Sequence, residues 1–393
     1  MKRVLMTVLV AASLNLSLPT AQADEAYDLL VGTYTAGSSE GIYRYRFDAR
    51  TGQIAARPAQ ILVAENPSWL TLSKDQRRLF VVNENGPGQK DSVGRVSSYT
   101  VAAGSHQIAP VNQVPSEGDE PTHSSLSADE RFLFVSNYAV APDPGGSLSV
   151  LAVSTDGTLS SVVQQHRHQA SKVNPERQAG PHVHSTVVGP DGRFVFVSDL
   201  GADKVFIYRY DGDNAKAPLS PASPRSVSLP PGSGPRHLVF DKAGKHAYLT
   251  LEMTAQVVVF DYHGGKLTLK QQLDLASKSG PVQGAGGALH LSPDGKFLYV
   301  SNRGTVNEMV VFAVDDKSGQ LKRLQNRSVE GDHPREFTLD PTGKFLLIAD
   351  QKSNAVVVVQ RDTHTGLLGK KVQSMNIDAP SDLKFLANHQ GNQ

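Results

Sequence analysis

Apolar residues in this chain fall in short runs, and the runs come in pairs. One phrase recurs: a short apolar stretch, a turn resembling Ser-Pro-Asp-Gly, a second apolar stretch, then Asn or Asp. It reads WLTLSKDQRRLFVVNE from Trp69, HSSLSADERFLFVSNY from His123 and STVVGPDGRFVFVSDL from Ser185. It returns as HLVFDKAGKHAYLTLE from His237, ALHLSPDGKFLYVSNR from Ala288 and EFTLDPTGKFLLIADQ from Glu336. Successive copies start 54, 62, 52, 51 and 48 residues apart. Two apolar runs around a turn rich in Asp, Gly and Pro predict a β-hairpin. A third apolar run follows, as in VFIYRY from Val205 and VVVFDY from Val257. A further turn and a fourth strand come next, as at Lys317-Ser318-Gly319-Gln320-Leu321. Helical periodicity is absent from nearly the whole chain.

Four antiparallel strands per repeat of about fifty residues make a β-propeller blade. Six full copies leave two fragments. DLLVGTY from Asp28 and GIYRYRFD from Gly41 read as a second and a third strand that lack a first. Ala379 to Leu386 reads as a first strand with no hairpin after it. Together they complete a seventh blade, and that closure removes an open sheet edge. Two packed β-sandwiches are the competing arrangement, but sandwiches need neither a fixed repeat nor complementary ends. The fold expected is all-β, a seven-bladed propeller spanning residues 24–393.

Residues 1–23 carry a different pattern. Lys2 and Arg3 precede an apolar stretch from Val4 to Leu18, and Ala21-Gln22-Ala23 supplies a cleavage signal before Asp24. This reads as a signal peptide; a retained anchor is the alternative, for which the apolar run is short. The expected location is the periplasm, with no membrane attachment after cleavage. The chain has no cysteine, which excludes disulfides, a thiol nucleophile and Cys-ligated metal. A formal charge of +1 without a long basic run argues against nucleic acid and anionic membranes as partners. The expected state is a monomer or a weak homo-oligomer.

The repeat also locates candidate chemistry. The first strand of a blade lines the channel and the second runs back beside it. The residue before each first-strand phrase (the lead position) and the last residue of each phrase (the tail position) therefore meet at one mouth. Lead positions hold Ser68, Thr122, His184, Arg236, Gly287 and Arg335; tail positions hold Glu84, Tyr138, Leu200, Glu252, Arg303 and Gln351. So many charged groups are costly to crowd together unless paired or used. His184, Arg236, Glu252, Arg303, Arg335 and Glu84 are expected in one funnel, with His182, His237 and His290 near them. Gly286 and Gly287 are expected to leave space there. Arginines with one or two carboxylates and a histidine suit an oxygen-rich, often anionic ligand.

Other chemistries are weaker. His182 and His184 sit two apart, as a strand-borne metal pair would, but a third ligand is lacking. Gln283 to Gly287 has the look of a phosphate-cradling loop, yet no helix follows it. His166-Arg167-His168 reads as a solvated connection. Asn326-Arg327-Ser328 matches a glycosylation sequon.

The motifs Asn174-Pro175-Glu176-Arg177-Gln178, Gly180-Pro181-His182-Val183-His184-Ser185 and Gly234-Pro235-Arg236-His237 stand together with Glu252, Ser301-Asn302-Arg303-Gly304 and His333-Pro334-Arg335. In these the sequence resembles the seven-bladed propeller lactonases, which include propeller-type 6-phosphogluconolactonases and carboxy-muconate lactonizing enzymes. The resemblance covers nearly all of the chain after residue 23. It implies hydrolysis, or in some relatives formation, of a lactone ring, with no metal or organic cofactor. It also implies a site on His184, Arg236 and Glu252. Lactone opening needs an activated water and a grip on the oxygen that gains charge. His184 suits the base and Arg236 the carbonyl oxygen, with Glu252 orienting His184 or the sugar hydroxyls; Glu252 as base is the alternative. An exported enzyme meets free glucono-1,5-lactone more readily than a phosphorylated sugar. A non-catalytic binding platform is the reading from another class, since propellers serve both roles.

Overall fold

A computed structural model describes residues 26–141, 145–276 and 284–387. Residues 1–23, read above as a signal peptide, and Gln283 of the glycine-rich stretch lie outside the described residues. Seven antiparallel sheets account for the strands. Six are four-stranded meanders, and the seventh pairs Pro380–Leu386 with Ala26–Thr33, which pairs with Gly41–Asp48. The ends of the chain thus share one blade, as the fragment pattern predicts. Its outer position is divided between two short strands, Gln53–Ile54 and Gln60–Val63, both on Gly41–Asp48. Apart from one 3-10 turn at Gln351–Ser353, the described elements are all strands.

The apolar residues form seven clusters, one between each pair of neighbouring blades. In the strand Arg78–Asn83, Leu79 and Val81 pack toward the preceding blade, while Phe80 and Val82 pack toward the next. Both faces of such a strand are covered, so its sequence is continuously apolar rather than alternating.

The innermost strands share a local irregularity. Pro67–Leu72, Pro121–Leu126, Val183–Val188, Pro235–Phe240, Gly284–Leu291, Pro334–Leu339 and Pro380–Leu386 each shift register against the second strand near their start. In blade after blade the extra residue falls at or beside the lead position: Val183 pairs with Asp199 and Ser185 with Ser198, which leaves His184 over. A β-bulge of this kind re-aims a side chain. Here it turns successive residues of one strand toward the channel.

Two local expectations change. His166 and Arg167 belong to the outer strand Leu159–Arg167. His168 is buried: its ring stacks on Phe206 at 3.6 Å and bonds Asp199 and Tyr208, both at 2.8 Å. The segment is a packed anchor, because the strand runs on to meet the neighbouring sheet. Asn326 lies in the strand Leu321–Ser328, with its amide committed to Leu275 O and Glu308.

Candidate active site

The lead and tail residues meet at one mouth, around a cavity of about 140 Å³ lined by Glu84, Thr122, Tyr138, His184, Glu252, Arg303 and Arg335. Each tail residue is held where its strand ends: Glu252 N donates to Gly234 O, two residues before Arg236, at 2.7 Å. The same bond ties Glu84 to Asn66 and Tyr138 to Glu120.

Glu252 is the hub. Its Oε2 accepts from Arg303 Nη2 at 2.8 Å and Arg236 Nε at 3.1 Å, and its Oε1 accepts from Arg177 Nη2 at 2.7 Å. His184 Nε2 lies 3.8 Å from Oε2. Burial alone would raise the Glu252 carboxyl, but Arg303, Arg236, His184 and Arg177 together hold it well below the ordinary carboxylate range. A carboxylate so clamped is a weak base. Burial, and then Arg236, keep His184 neutral far below its usual range. Burial and Arg303 draw the Arg236 guanidinium down to about 9, still charged at neutral pH. A second pair stands beside this hub. Arg335 Nη2 meets Glu84 Oε2 at 3.2 Å, Tyr34 OH donates to the same oxygen at 2.8 Å, and the Arg335 head lies 4.9 Å from the centre of the Tyr34 ring.

Four guanidiniums therefore share two carboxylates. Arg236 Nη1, Arg303 Nε and His184 Nδ1 are buried without a protein hydrogen-bond partner. Buried donors normally find an acceptor, so these suit a ligand that brings oxygen, and preferably negative charge, to them.

The expected set divides on inspection. His184, Arg236, Glu252, Arg303, Arg335 and Glu84 do come together. His182 does not face the cavity: it stacks on Tyr138 at 4.7 Å and bonds Tyr138 O through Nδ1 at 2.9 Å. His184 meets the same Tyr138 ring edge-on at 5.5 Å. Among the described residues, no group of three or more His, Asp or Glu is placed to hold a metal ion. His237 lies one layer deeper, edge-on to His184 at 5.2 Å and to Trp69 at 5.3 Å. His290 is deeper again, bonded to Glu336 at 2.6 Å, and lines the separate cavity of about 870 Å³ at the opposite mouth. Alternation after the bulge carries His290 down the channel, whereas His237 lines a small pocket beside the main cavity together with His184, Arg236 and Arg335. Gly286 and Gly287 leave no space for a ligand. A Cβ on Gly286 would come within 2.6 Å of Leu251 O, and one on Gly287 within 2.2 Å of Ser301 Oγ. These glycines let adjacent strands approach closely.

Arg177, Tyr138 and Tyr34 complete the site. Tyr34 is the tail residue of the split blade, and extending the repeat to that blade identifies it. Arg177 has no counterpart in other blades. It arrives on the segment that makes the second repeat interval 62 residues long.

Residues 28–385 match the family described as "Lactonase, 7-bladed beta-propeller". The periplasmic gluconolactonase PpgL of Pseudomonas aeruginosa is 52% identical, with a TM-score of 0.89 over 92% of this chain and 99% of that one. The 6-phosphogluconolactonase of Bacillus subtilis is 32% identical over 91% of this chain and 97% of its own length. That of Formosa agariphila is 30% identical over 91% and 99%. This chain belongs to the seven-bladed β-propeller lactonase family.

Proposed function

We propose that the protein is a periplasmic hydrolase that opens glucono-1,5-lactone to gluconate. The observation that carries this reading is a neutral histidine beside a carboxylate saturated by arginines, with buried guanidinium donors left over. His184 takes a proton from water as the water oxygen bonds to the lactone carbonyl carbon. Arg236 receives the oxyanion that forms. Glu252, 3.8 Å from His184, favours the transient imidazolium. When the ring C–O bond breaks, the imidazolium returns its proton to the departing ring oxygen, which becomes the free hydroxyl, and the new acid ionises against the arginines. A histidine with a lowered pKa is a modest base, so much of the acceleration falls to the guanidiniums that polarise the carbonyl.

The neutral substrate and the compartment are supported by the N-terminal export pattern and by likeness to the periplasmic gluconolactonase. 6-Phosphogluconolactone is the second reading, favoured by the names of two relatives and by the excess of guanidinium. A binding platform would present exposed aromatic anchors. The large apolar residues exposed among those described are aliphatic, such as Val63 and Leu269.

The test is proton release from each lactone in weak buffer, measured against spontaneous hydrolysis. The mature protein should accelerate glucono-1,5-lactone, with the larger kcat/KM for the unphosphorylated ring. His184→Ala is expected to lose ~10²- to 10⁴-fold. Wild-type protein inactive on both lactones would sink the enzymatic reading.

A further inference from the structure

Arg177 is the one charged group at the hub that the blade repeat does not supply. It sits on the turn Asn174–Gln178, in the connection between the outer strand Leu159–Arg167 and the inner strand Val183–Val188. The turn is built for rigidity. Asn174 Oδ1 accepts from the backbone of Glu176 at 3.0 Å and of Arg177 at 2.9 Å. Gln178 is fully buried and donates to Leu200 O at 2.9 Å and Asp203 Oδ1 at 2.8 Å.

Asp203 extends this network to the hub. It accepts from Gly232 N at 2.8 Å and Gly234 N at 3.0 Å, and Gly234 O accepts from Glu252 N. One chain of bonds therefore places both Arg177 and the backbone of Glu252. At its other end, Arg177 Nη2 divides between Glu252 Oε1 at 2.7 Å and Tyr138 OH at 3.1 Å. Its side chain is 44% exposed, against 2% for Arg236 and 6% for Arg303.

We propose that Arg177 is a positioning residue of the lactone-opening site: it pins one oxygen of Glu252 so that the other is presented to Arg236, Arg303 and His184. The inference rests on the lactonase reading for its kinetic consequence. Arg236 and Arg303 both grip Oε2 and leave Oε1 to Arg177. Without that third contact, a buried carboxylate keeps one oxygen unpaired and free to turn, and the distance from Oε2 to His184 is no longer held. Misplacement on this scale is expensive in rate. The lost positive charge also makes Glu252 easier to protonate.

The experiment compares wild type, Arg177→Met and Arg177→Lys on glucono-1,5-lactone across pH, beside a titration of the Glu252 side-chain carbon by NMR. In Arg177→Met, kcat should fall ~10- to 100-fold, with a smaller change in KM. The acid limb of its rate and the Glu252 titration should both move to higher pH. Arg177→Lys keeps the charge, so it should restore the titration while recovering only part of kcat, because the shorter ammonium arm does not place its donor between Glu252 Oε1 and Tyr138 OH as Nη2 does. A Glu252 titration in Arg177→Met that superimposes on wild type overturns the proposal. If wild type opens neither lactone, the functional reading fails, and the NMR comparison still decides whether Arg177 controls Glu252. If the Met variant does not fold, the Lys variant decides: a kcat equal to wild type rejects the placement of the Arg177 donor as a positioning device.

Discussion

Arg236 is a guanidinium almost without solvent contact, held by a single carboxylate oxygen and carrying one donor with no protein partner. Such a group adds little to stability, since desolvation offsets much of an ion pair's attraction. Its geometry makes sense if an oxygen that gains charge completes it. Arg236→Met is therefore expected to lower kcat by ~10²- to 10³-fold while KM changes much less. Steady-state kinetics on glucono-1,5-lactone checks this, and a variant with raised KM and intact kcat would reduce Arg236 to a binding group. The residues His184, Arg236, Glu252, Arg303, Arg335 and Glu84 are legible from the chain because they occupy matching positions of one repeat. Arg177 is not legible that way. Only the long second interval and a motif shared with the family point to it, and its partner Glu252 lies 75 residues on.

Within a blade, the residue just before the tail position is buried where the second strand ends. Asn83 and Asn137 fill that position with amides whose nitrogens donate: Asn83 to Glu65 O at 2.6 Å, and Asn137 to Ser147 and Ser149 at 3.0 Å. Asp350 takes the same position in the last full blade, with neither oxygen bonded. Burial, with Asp332 beside it, raises its pKa from 3.8 to about 8. The folded state thus holds a proton that the unfolded chain releases near pH 4. Stability from this group is present below that pH and is lost as pH rises through about 8. Asp350→Asn removes the titration and supplies the amide found in three other blades. It should stabilise the protein by ~1–3 kcal/mol near pH 8.5 and have little effect at pH 4. Urea unfolding at the two pH values tests this, and an equal effect at both would show that the carboxyl does not titrate in this range.

Across the seven blades the apolar core is a ring of interfaces, and the channel that it encloses is filled by polar rings. His123, His184 and His237 lie buried there. Burial is the first cause that lowers each, His123 to about 3. Unfolded, they would take up protons near pH 6.5. Their contribution to stability is present above that value and is lost as pH falls toward the folded pKa values, by an amount on the order of a few kcal/mol. The urea midpoint should therefore fall steadily between pH 6.5 and pH 4, and a flat profile there would mean that these rings are charged in the folded state.

The number of blades, their hairpins and the closure of the ring by both ends of the chain follow from local signals. Strand alternation, turn residues and a fixed repeat act over a few neighbours and survive in a linear string. The same repeat correctly brings six ionisable residues to one mouth, because lead and tail positions are equivalent in every blade. What the string does not contain is depth along the channel. A one-residue bulge at each inner strand sends His290 below the site, turns His182 behind Tyr138, and places Gly286 and Gly287 against neighbouring strands. Arg177 and Tyr34 join the site only when blades distant in the chain close around it. Those outcomes depend on register and on packing between blades, and both are set when the ring forms.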